Sequence, residues 1–120
     1  LLGGTGNDIL RGGAGADILS GGAGNDTADY SSSNAAVAIN LDGSLSAGGD
    51  AQGDTLSSIE TVVGSSFDDT LTGTSLNEAL DGGAGNDLLR GGAGSDRLTG
   101  GSGDDTLLGG SGADVLDGGA

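Results

Sequence analysis

The 120-residue sequence predicts an all-β fold, a solenoid of short parallel strands with two repeats in each coil. Three observations predict it. Glycine accounts for 29 residues, a density that disfavours helix, and its spacing is not the every-third-residue spacing of collagen. A nine-residue unit recurs along the chain, with room for one turn and one short strand. Within the unit, the sixth position is almost always Asp and the eighth almost always Leu.

Nine copies of the unit are recognisable, and they fall into two blocks. They begin at Gly3, Gly12 and Gly21 and, after an interruption, at Gly64, Gly73, Gly82, Gly91, Gly100 and Gly109. We therefore divide one continuous domain into a first block, 1–29, an irregular β insertion, 30–63, and a second block, 64–120. Both termini fall inside the pattern, so we expect the chain to be a piece of a longer array.

The last three residues of each unit form a short strand in this interpretation. Its middle side chain points to one side and its two neighbours to the other, so the eighth position faces inward. This position holds Leu10, Leu19, Ala28, Leu71, Leu80, Leu89, Leu98, Leu107 and Leu116. Two units make one coil of 18 residues, which stacks like positions directly above one another.

The insertion breaks the period but keeps signs of strands. Val37, Ile39 and Leu41 alternate with small or polar residues, which predicts a strand with one buried face. Residues 48–56 resemble a worn copy of the unit, with an acid at Asp54, and a loop is expected near 42–52. Tyr30 and Phe67 are expected to plug the two ends of this irregular segment.

The acidic column carries the functional prediction. Its members are Asp8, Asp17, Asp26, Asp69, Glu78, Asp87, Asp96, Asp105 and Asp114. Stacked turns would hold these carboxylates at the strand spacing of about 4.8 Å, where each pair repels by roughly 4 kcal/mol at an effective dielectric near 20. A hard divalent cation between the turns removes the repulsion. Calcium, which takes oxygen ligands flexibly, suits this arrangement better than magnesium.

The composition excludes several kinds of function. The chain has no His and no Cys, so it can form no catalytic triad, thiol nucleophile or ordinary zinc site, and we expect no enzyme activity in this piece. Its net charge of −15 argues against nucleic acid and anionic membrane surfaces as partners. No apolar run is long enough for a membrane span, and no signal peptide is evident. Leu, Ile, Val and Phe total only 25 residues, so folding needs additional binding energy.

Two units in the second block resemble the repeat of a known protein family. GGAGNDLLR, at 82–90, and GGSGDDTLL, at 100–108, are similar to the glycine-rich nonapeptide of RTX proteins, the haemolysin-type calcium-binding repeats. The resemblance implies a right-handed parallel β-roll with several Ca²⁺ ions between its turns and disorder without them. It also implies a secreted bacterial protein exported by type I secretion.

The resemblance also implies a ligand set. The carboxylate ligands would be Asp8, Asp17, Asp26, Asp69, Asp87, Asp96, Asp105 and Asp114, while Glu78 and Asp54 are left open. Backbone carbonyls at positions one and three of one turn and two and four of the next would complete each site. For the pair Asp87 and Asp105 these carbonyls belong to Gly82, Ala84, Gly101 and Gly103. The same rule gives Gly3, Thr5, Gly22 and Gly24 for another pair, Gly91, Ala93, Gly110 and Gly112 for a third, and Gly83 and Gly85 for a fourth.

The predicted function is that of a calcium-binding β-roll module that folds after secretion and stabilises an exported bacterial protein. The alternative is a polysaccharide-binding or surface-attachment module, as in secreted epimerases and adhesins. That alternative needs aromatic or basic residues along a groove, and the sequence offers one Tyr, one Phe and three basic residues. An enzyme elsewhere in a longer parent chain is the third hypothesis.

Overall fold

Each nine-residue unit begins with a bend and ends in a short strand, as the period predicts. The computed structural model describes all residues 1–120, which fold into a parallel β-solenoid of about six turns. The strands are β1 (Leu2–Thr5), β2 (Ile9–Leu10), β3 (Ile18–Ala23), β4 (Thr27–Asp29), β5 (Ala38–Asn40), β6 (Thr55–Ser57), β7 (Thr61–Val63), β8 (Thr70–Thr72), β9 (Ala79–Ala84), β10 (Leu88–Ala93), β11 (Arg97–Ser102), β12 (Thr106–Ser111) and β13 (Val115–Asp117). One 3₁₀ turn covers Gly49–Ala51.

The chain alternates between two sides of the solenoid. One side is a six-stranded sheet in the order β13-β11-β9-β7-β4-β2, and the other consists of the sheets β1-β3-β6 and β12-β10-β8-β5. Within the blocks, paired residues are 18 apart, as in Leu80↔Leu98 and Leu89↔Leu107. This register confirms two units per coil, and it stacks the bends as well as the strands.

The insertion lengthens one side of the solenoid and leaves the other regular. On the regular side, β4 pairs directly with β7 through Thr27↔Thr61. On the other side, β6 pairs with β3 below it and β5 pairs with β8 above it. An antiparallel bridge between Ala38 and Ala47 links β5 to the following segment. The insertion therefore adds its extra chain to a single side, between β3 and β8.

The core is the predicted column of eighth-position residues plus apolar residues of the insertion. The buried set is Leu10, Leu19, Ala28, Tyr30, Val37, Ile39, Leu41, Ala51, Leu56, Ile59, Val62, Leu71, Leu80, Leu89 and Leu98. The alternation at 37–41 therefore does bury one face. Leu107 is only partly buried and Leu116 is 47 % exposed, because β12 and β13 each have a strand on one side only.

The two aromatic residues behave differently. Tyr30 is 2 % exposed and plugs the core as expected. The expectation for Phe67 is wrong, since its side chain is 44 % exposed. Phe67 occupies position four of its unit, in the bend, where side chains point away from the two-sided core. Separately, no helix of the chain is long and apolar enough to span a membrane.

Candidate metal centre

Stacking brings the sixth-position acids into rows along the bends. In most turns one carboxylate oxygen is fixed by the backbone of the turn 18 residues earlier. The N–H of Asp8 donates to Oδ1 of Asp26 at 2.9 Å, and the N–H of Asp87 donates to Oδ1 of Asp105 at 2.9 Å. The same bond joins Asp69 to Asp87 and Asp96 to Asp114. Each carboxylate is thus held in one orientation between two successive bends, a space that we call the inter-turn gap.

The second oxygen of most of these carboxylates has no hydrogen-bond partner although it is buried. The unpartnered atoms are Oδ2 of Asp8, Asp17, Asp26, Asp87, Asp96 and Asp105, and Oε2 of Glu78. Among their residues, Asp26 is 0 % exposed and Asp87 and Asp96 are 2 % exposed. A buried charged oxygen without a partner is costly, so a row of them indicates groups whose partner is a cation.

Burial raises the pKa of two of these carboxyl groups, Asp87 and Glu78. Burial raises the pKa of Asp87 to about 6, and the charges of Asp69 and Asp105 act in the same direction, against the lowering effect of the Asp69 N–H. Burial also raises the pKa of Glu78, assisted by the charge of Asp96 and opposed by the Thr74 hydroxyl. The calcium-free fold therefore holds these two carboxyl groups in an environment that disfavours their charge.

Glycine at position one keeps the gap open. A Cβ placed on Gly64 would lie 2.6 Å from Oδ2 of Asp69 and 2.6 Å from the carbonyl oxygen of Gly82. At Gly3 the corresponding distances are 2.8 Å to Oδ2 of Asp8 and 2.5 Å to the carbonyl oxygen of Gly21. Any larger residue would fill the space that lies between a carboxylate oxygen and a carbonyl of the next turn.

Contacts between neighbouring bends show where some of the carbonyls point, while the ligand set itself stays a prediction. Gly83 and Gly85 have φ of 96° and 114°, and their carbonyl oxygens face Gly101 and Gly103 of the next turn. The carbonyl of Gly82 instead faces Gly64. Successive carbonyls of an extended chain point in opposite directions, so the register of the bend decides which ones face a given gap.

The carbonyls of Gly83, Gly85 and Gly100 face the Asp87–Asp105 gap, and the carbonyl of Gly82 faces the turn before it. Which carbonyls bind the ion stays a prediction. Likewise, carbonyls of Gly4, Gly6 and Gly21 face the gap above Asp8, and carbonyls of Gly92, Gly94 and Gly109 face the gap above Asp96.

One of the expected acidic ligands, Asp69, and one acid that was left open, Asp54, already accept hydrogen bonds from protein groups. Both oxygens of Asp69 accept hydrogen bonds, from the N–H and hydroxyl of Ser65 at 2.6 and 2.7 Å and from the N–H of Val37 at 2.8 Å. Asp54 accepts from the N–H of Asp17 at 2.7 Å and from the Tyr30 hydroxyl at 2.8 Å. The gap between Asp17 and Asp54 is thus completed on one side by a hydroxyl group.

The surroundings of Tyr30 also shift the pKa of its hydroxyl group. Burial raises the pKa of Tyr30, and its hydrogen bond to Asp54 and the negative charge there act in the same direction. The hydroxyl therefore stays protonated and donates to the carboxylate, which occupies the oxygen that a cation would otherwise use. The remaining expected acid, Asp114, lies in the final bend and is half-buried.

Sequence reasoning missed a second ladder in the bends. The fifth-position side chain accepts a hydrogen bond from the backbone N–H of the fifth position one turn later: Asn25 donates to Asn7, Asn86 to Asp68, Ser95 to Asn77 and Asp104 to Asn86, at 2.8–2.9 Å. The sequence contains a signal for this ladder, because Asn or Asp recurs at the fifth position of the unit. This ladder holds the bends in register beside the acidic row.

The donor set of each gap consists of oxygen atoms only. No group of three or more acidic side chains converges on one point, so a gap offers at most two carboxylates and several backbone carbonyls. Such a mixture of carboxylate and carbonyl oxygen is what Ca²⁺ binds. Bound calcium would supply positive charge to the unpartnered oxygens, and the protein residues would set their orientation and exclude water from the gap.

Acid is expected to stabilise the calcium-free fold. The pKa of Asp87 is about 6 in the fold against an ordinary value of 3.8, so the folded chain binds more protons than the unfolded chain between these values. The free energy of unfolding without calcium therefore rises as the pH falls through 6 and is lost as the pH rises again. Calcium affinity moves the opposite way, because the ion needs the deprotonated carboxylate.

Circular dichroism in chelator, recorded from neutral pH down to about pH 4.5, measures the first effect. Calcium titrations at the two ends of that range measure the second. We expect a gain of β-structure on acidification, and a chelated chain that gains none would contradict the expectation.

Comparison with known proteins supports the geometry. The family model of the RTX calcium-binding nonapeptide repeat matches four times, at residues 1–29, 54–89, 72–107 and 90–120. Only 24 residues, 30–53 of the insertion, lie outside these matches. Comparison with curated proteins gives no match. RTX repeats bind multiple Ca²⁺ ions, in agreement with the unpartnered carboxylates of the bends. The chain belongs to the family of RTX calcium-binding nonapeptide repeats.

Proposed function

We propose that this calcium-binding β-roll is a module that folds when it binds Ca²⁺ outside the cell and thereby stabilises an exported bacterial protein. The observation that carries the proposal is the row of seven buried carboxylate oxygens without partners. Each one destabilises the fold in the absence of a cation and binds the cation when it is present. Metal binding and folding are therefore coupled.

The weak hydrophobic core supports the same proposal. Fifteen apolar residues form the only core cluster, while 29 glycines make ordering of the chain costly and a net charge of −15 opposes compaction. Calcium supplies the missing free energy. At intracellular concentrations the sites stay empty and the chain unfolded, a state suited to export, whereas extracellular modules fill at roughly 10⁻⁴–10⁻³ M calcium.

Family membership supports the location. RTX repeats occur in exported proteins that use type I secretion, and a rise in calcium on leaving the cell would act as the trigger. The module itself is structural, with no catalytic residues expected. Any enzyme activity would belong to another part of the parent protein.

Circular dichroism during a calcium titration tests the proposal. From sub-micromolar to millimolar calcium we expect a cooperative gain of β-structure and resistance to protease, with magnesium at the same concentrations giving little of either. A chain that is fully folded in chelator and indifferent to calcium would overturn it.

The binding alternative has less support from the surface. Phe67 is the only aromatic side chain that is exposed, and Arg11 pairs with Asp29 at 2.5 Å. Arg90 lies on β10 and Arg97 on β11, in different sheets. No basic or aromatic groove is formed, so we do not propose a polysaccharide or cell-surface partner.

A further inference from the structure

We propose that the insertion completes one more calcium site, in the gap between Asp26 of the first block and Glu60 of the insertion. The proposal rests on calcium binding by the module, and it concerns a bend that departs from the nine-residue period. Glu60 precedes the second block and lies outside the acidic column of the sequence, although the family match at 54–89 includes it.

The bend that carries Glu60 is half as long as a repeat bend. Between the paired positions Ser20↔Ser57 and Thr27↔Thr61, the turn with Glu60 has three residues, 58–60, and the turn below it has six, 21–26. The strands that follow are nevertheless in register through Thr27↔Thr61. A glutamate, one methylene longer than aspartate, reaches across the shortened bend. Its Oε2 accepts the hydrogen bond of the Asp26 N–H at 2.9 Å, the bond that an aspartate accepts in the repeat turns.

The free oxygen of Asp26 points into this gap. Asp26 is 0 % exposed and its Oδ2 has no partner. A Cβ placed on Gly21 would lie 2.5 Å from that oxygen and nearer still to the carbonyl oxygen of Ser58. The Ser58 carbonyl therefore occupies the place that the Gly21 carbonyl occupies above Gly3. A buried carboxylate oxygen, a carbonyl oxygen and a second carboxylate border one space.

The backbone of Ser58 supports a role for its carbonyl. Ser58 has φ of 53° and is the only non-glycine residue of the chain in the left-handed region. This conformation is costly for a residue with a side chain. It turns the Ser58 carbonyl toward Asp26 within a bend of three residues.

The neighbouring gap, between Asp17 and Asp54, differs in the partner of the insertion's acid. There the Tyr30 hydroxyl donates to Asp54 and leaves no free oxygen on that carboxylate, although Oδ2 of Asp17 is still unpartnered. Glu60 accepts only the Asp26 N–H, and no hydroxyl or basic group donates to it. The Asp26–Glu60 gap therefore keeps the charge of both acids available to a cation.

Counting bound calcium in Glu60→Gln tests the proposal. Glutamine keeps an acceptor for the Asp26 N–H but removes the charge, so we expect one bound ion fewer per chain by equilibrium dialysis at saturating calcium, with the β-structure retained. Asp42→Asn is the matched control, because Asp42 is an exposed loop acid whose loss also removes one charge. We expect it to leave the ion count unchanged.

The outcomes separate this inference from the proposed function. A wild-type chain that binds no calcium would overturn both. A wild-type chain that binds calcium, with Glu60→Gln binding the same number of ions, would overturn the inference alone. Should Glu60→Gln fail to fold, a crystal structure of the wild-type chain grown in calcium decides the matter, since it will show either an ion in contact with Asp26 Oδ2 and Glu60 or only water in that gap.

Discussion

Gly82→Ala is expected to destabilise the calcium-loaded fold by about 3 kcal/mol. Gly82 has an ordinary backbone conformation, so alanine introduces no strain in φ. Its Cβ would instead lie 2.8 Å from the carbonyl oxygen of Gly100 and closer to Oδ2 of Asp87. The methyl group therefore occupies the cation position itself. Urea unfolding at fixed millimolar calcium measures the loss, and equilibrium dialysis measures the loss of one bound ion.

Gly118→Ala provides the matched control for this prediction. Gly118 occupies the same first position of a unit, also with an ordinary φ, but a Cβ there would meet nothing within 4 Å. We expect its stability and ion count to match the wild type. Equal stability of the Gly82→Ala and Gly118→Ala variants in calcium would show that the space beside Asp87 holds no ion.

Asp87→Asn is expected to change stability in opposite directions with and without calcium. In calcium, loss of the charge on a buried carboxylate should remove one ion and cost about 3 kcal/mol, in the range for breaking a buried charge pair. Without calcium the same change removes a buried charge that lies between Asp69 and Asp105 and whose pKa is raised to about 6. The calcium-free fold should then become more stable, because asparagine still accepts the hydrogen bond of the Asp69 N–H.

Two measurements test the reversal. Urea unfolding in millimolar calcium gives the first sign, and the concentration of a protecting osmolyte that folds the chelated chain gives the second. Asp104→Asn is the control, since Asp104 is adjacent in sequence to an acidic-column residue but has an exposed side chain. A loss of stability for Asp87→Asn in chelator as well as in calcium would indicate a purely structural role for this carboxylate.

The repeat pattern was sufficient to predict the solenoid because every unit has the same local structure. Each unit consists of a glycine-rich bend and a three-residue strand with one inward leucine. Two such units make one coil, so equivalent residues stack 18 positions apart, as the register of Leu80 with Leu98 confirms. The acidic column and its preference for calcium followed from the same repetition. Where repetition stops, as at Phe67, the expectation for a single side chain was wrong.

The direction of the carbonyls could not be obtained from the pattern. Positions one to four are mostly glycine, alanine or serine, and these small residues place no constraint on which way a carbonyl points. The register of the bend decides it, by turning Gly83 toward Gly101 and Gly82 toward Gly64. The same holds for Asp69, which the sequence places in the acidic row but which Ser65 and Val37 satisfy.

The sequence by itself determined the period, the two-sided stacking, the leucine core and the identity of the acids that face one another, because each of these depends on local spacing repeated many times. Only the tertiary structure decided which carboxylate oxygens are left without partners and which residues of the insertion reach them. Tyr30 meets Asp54, and Glu60 meets Asp26, across 24 and 34 residues of chain. No periodicity connects such pairs, since their meeting depends on how an irregular segment of particular length folds back onto the stack.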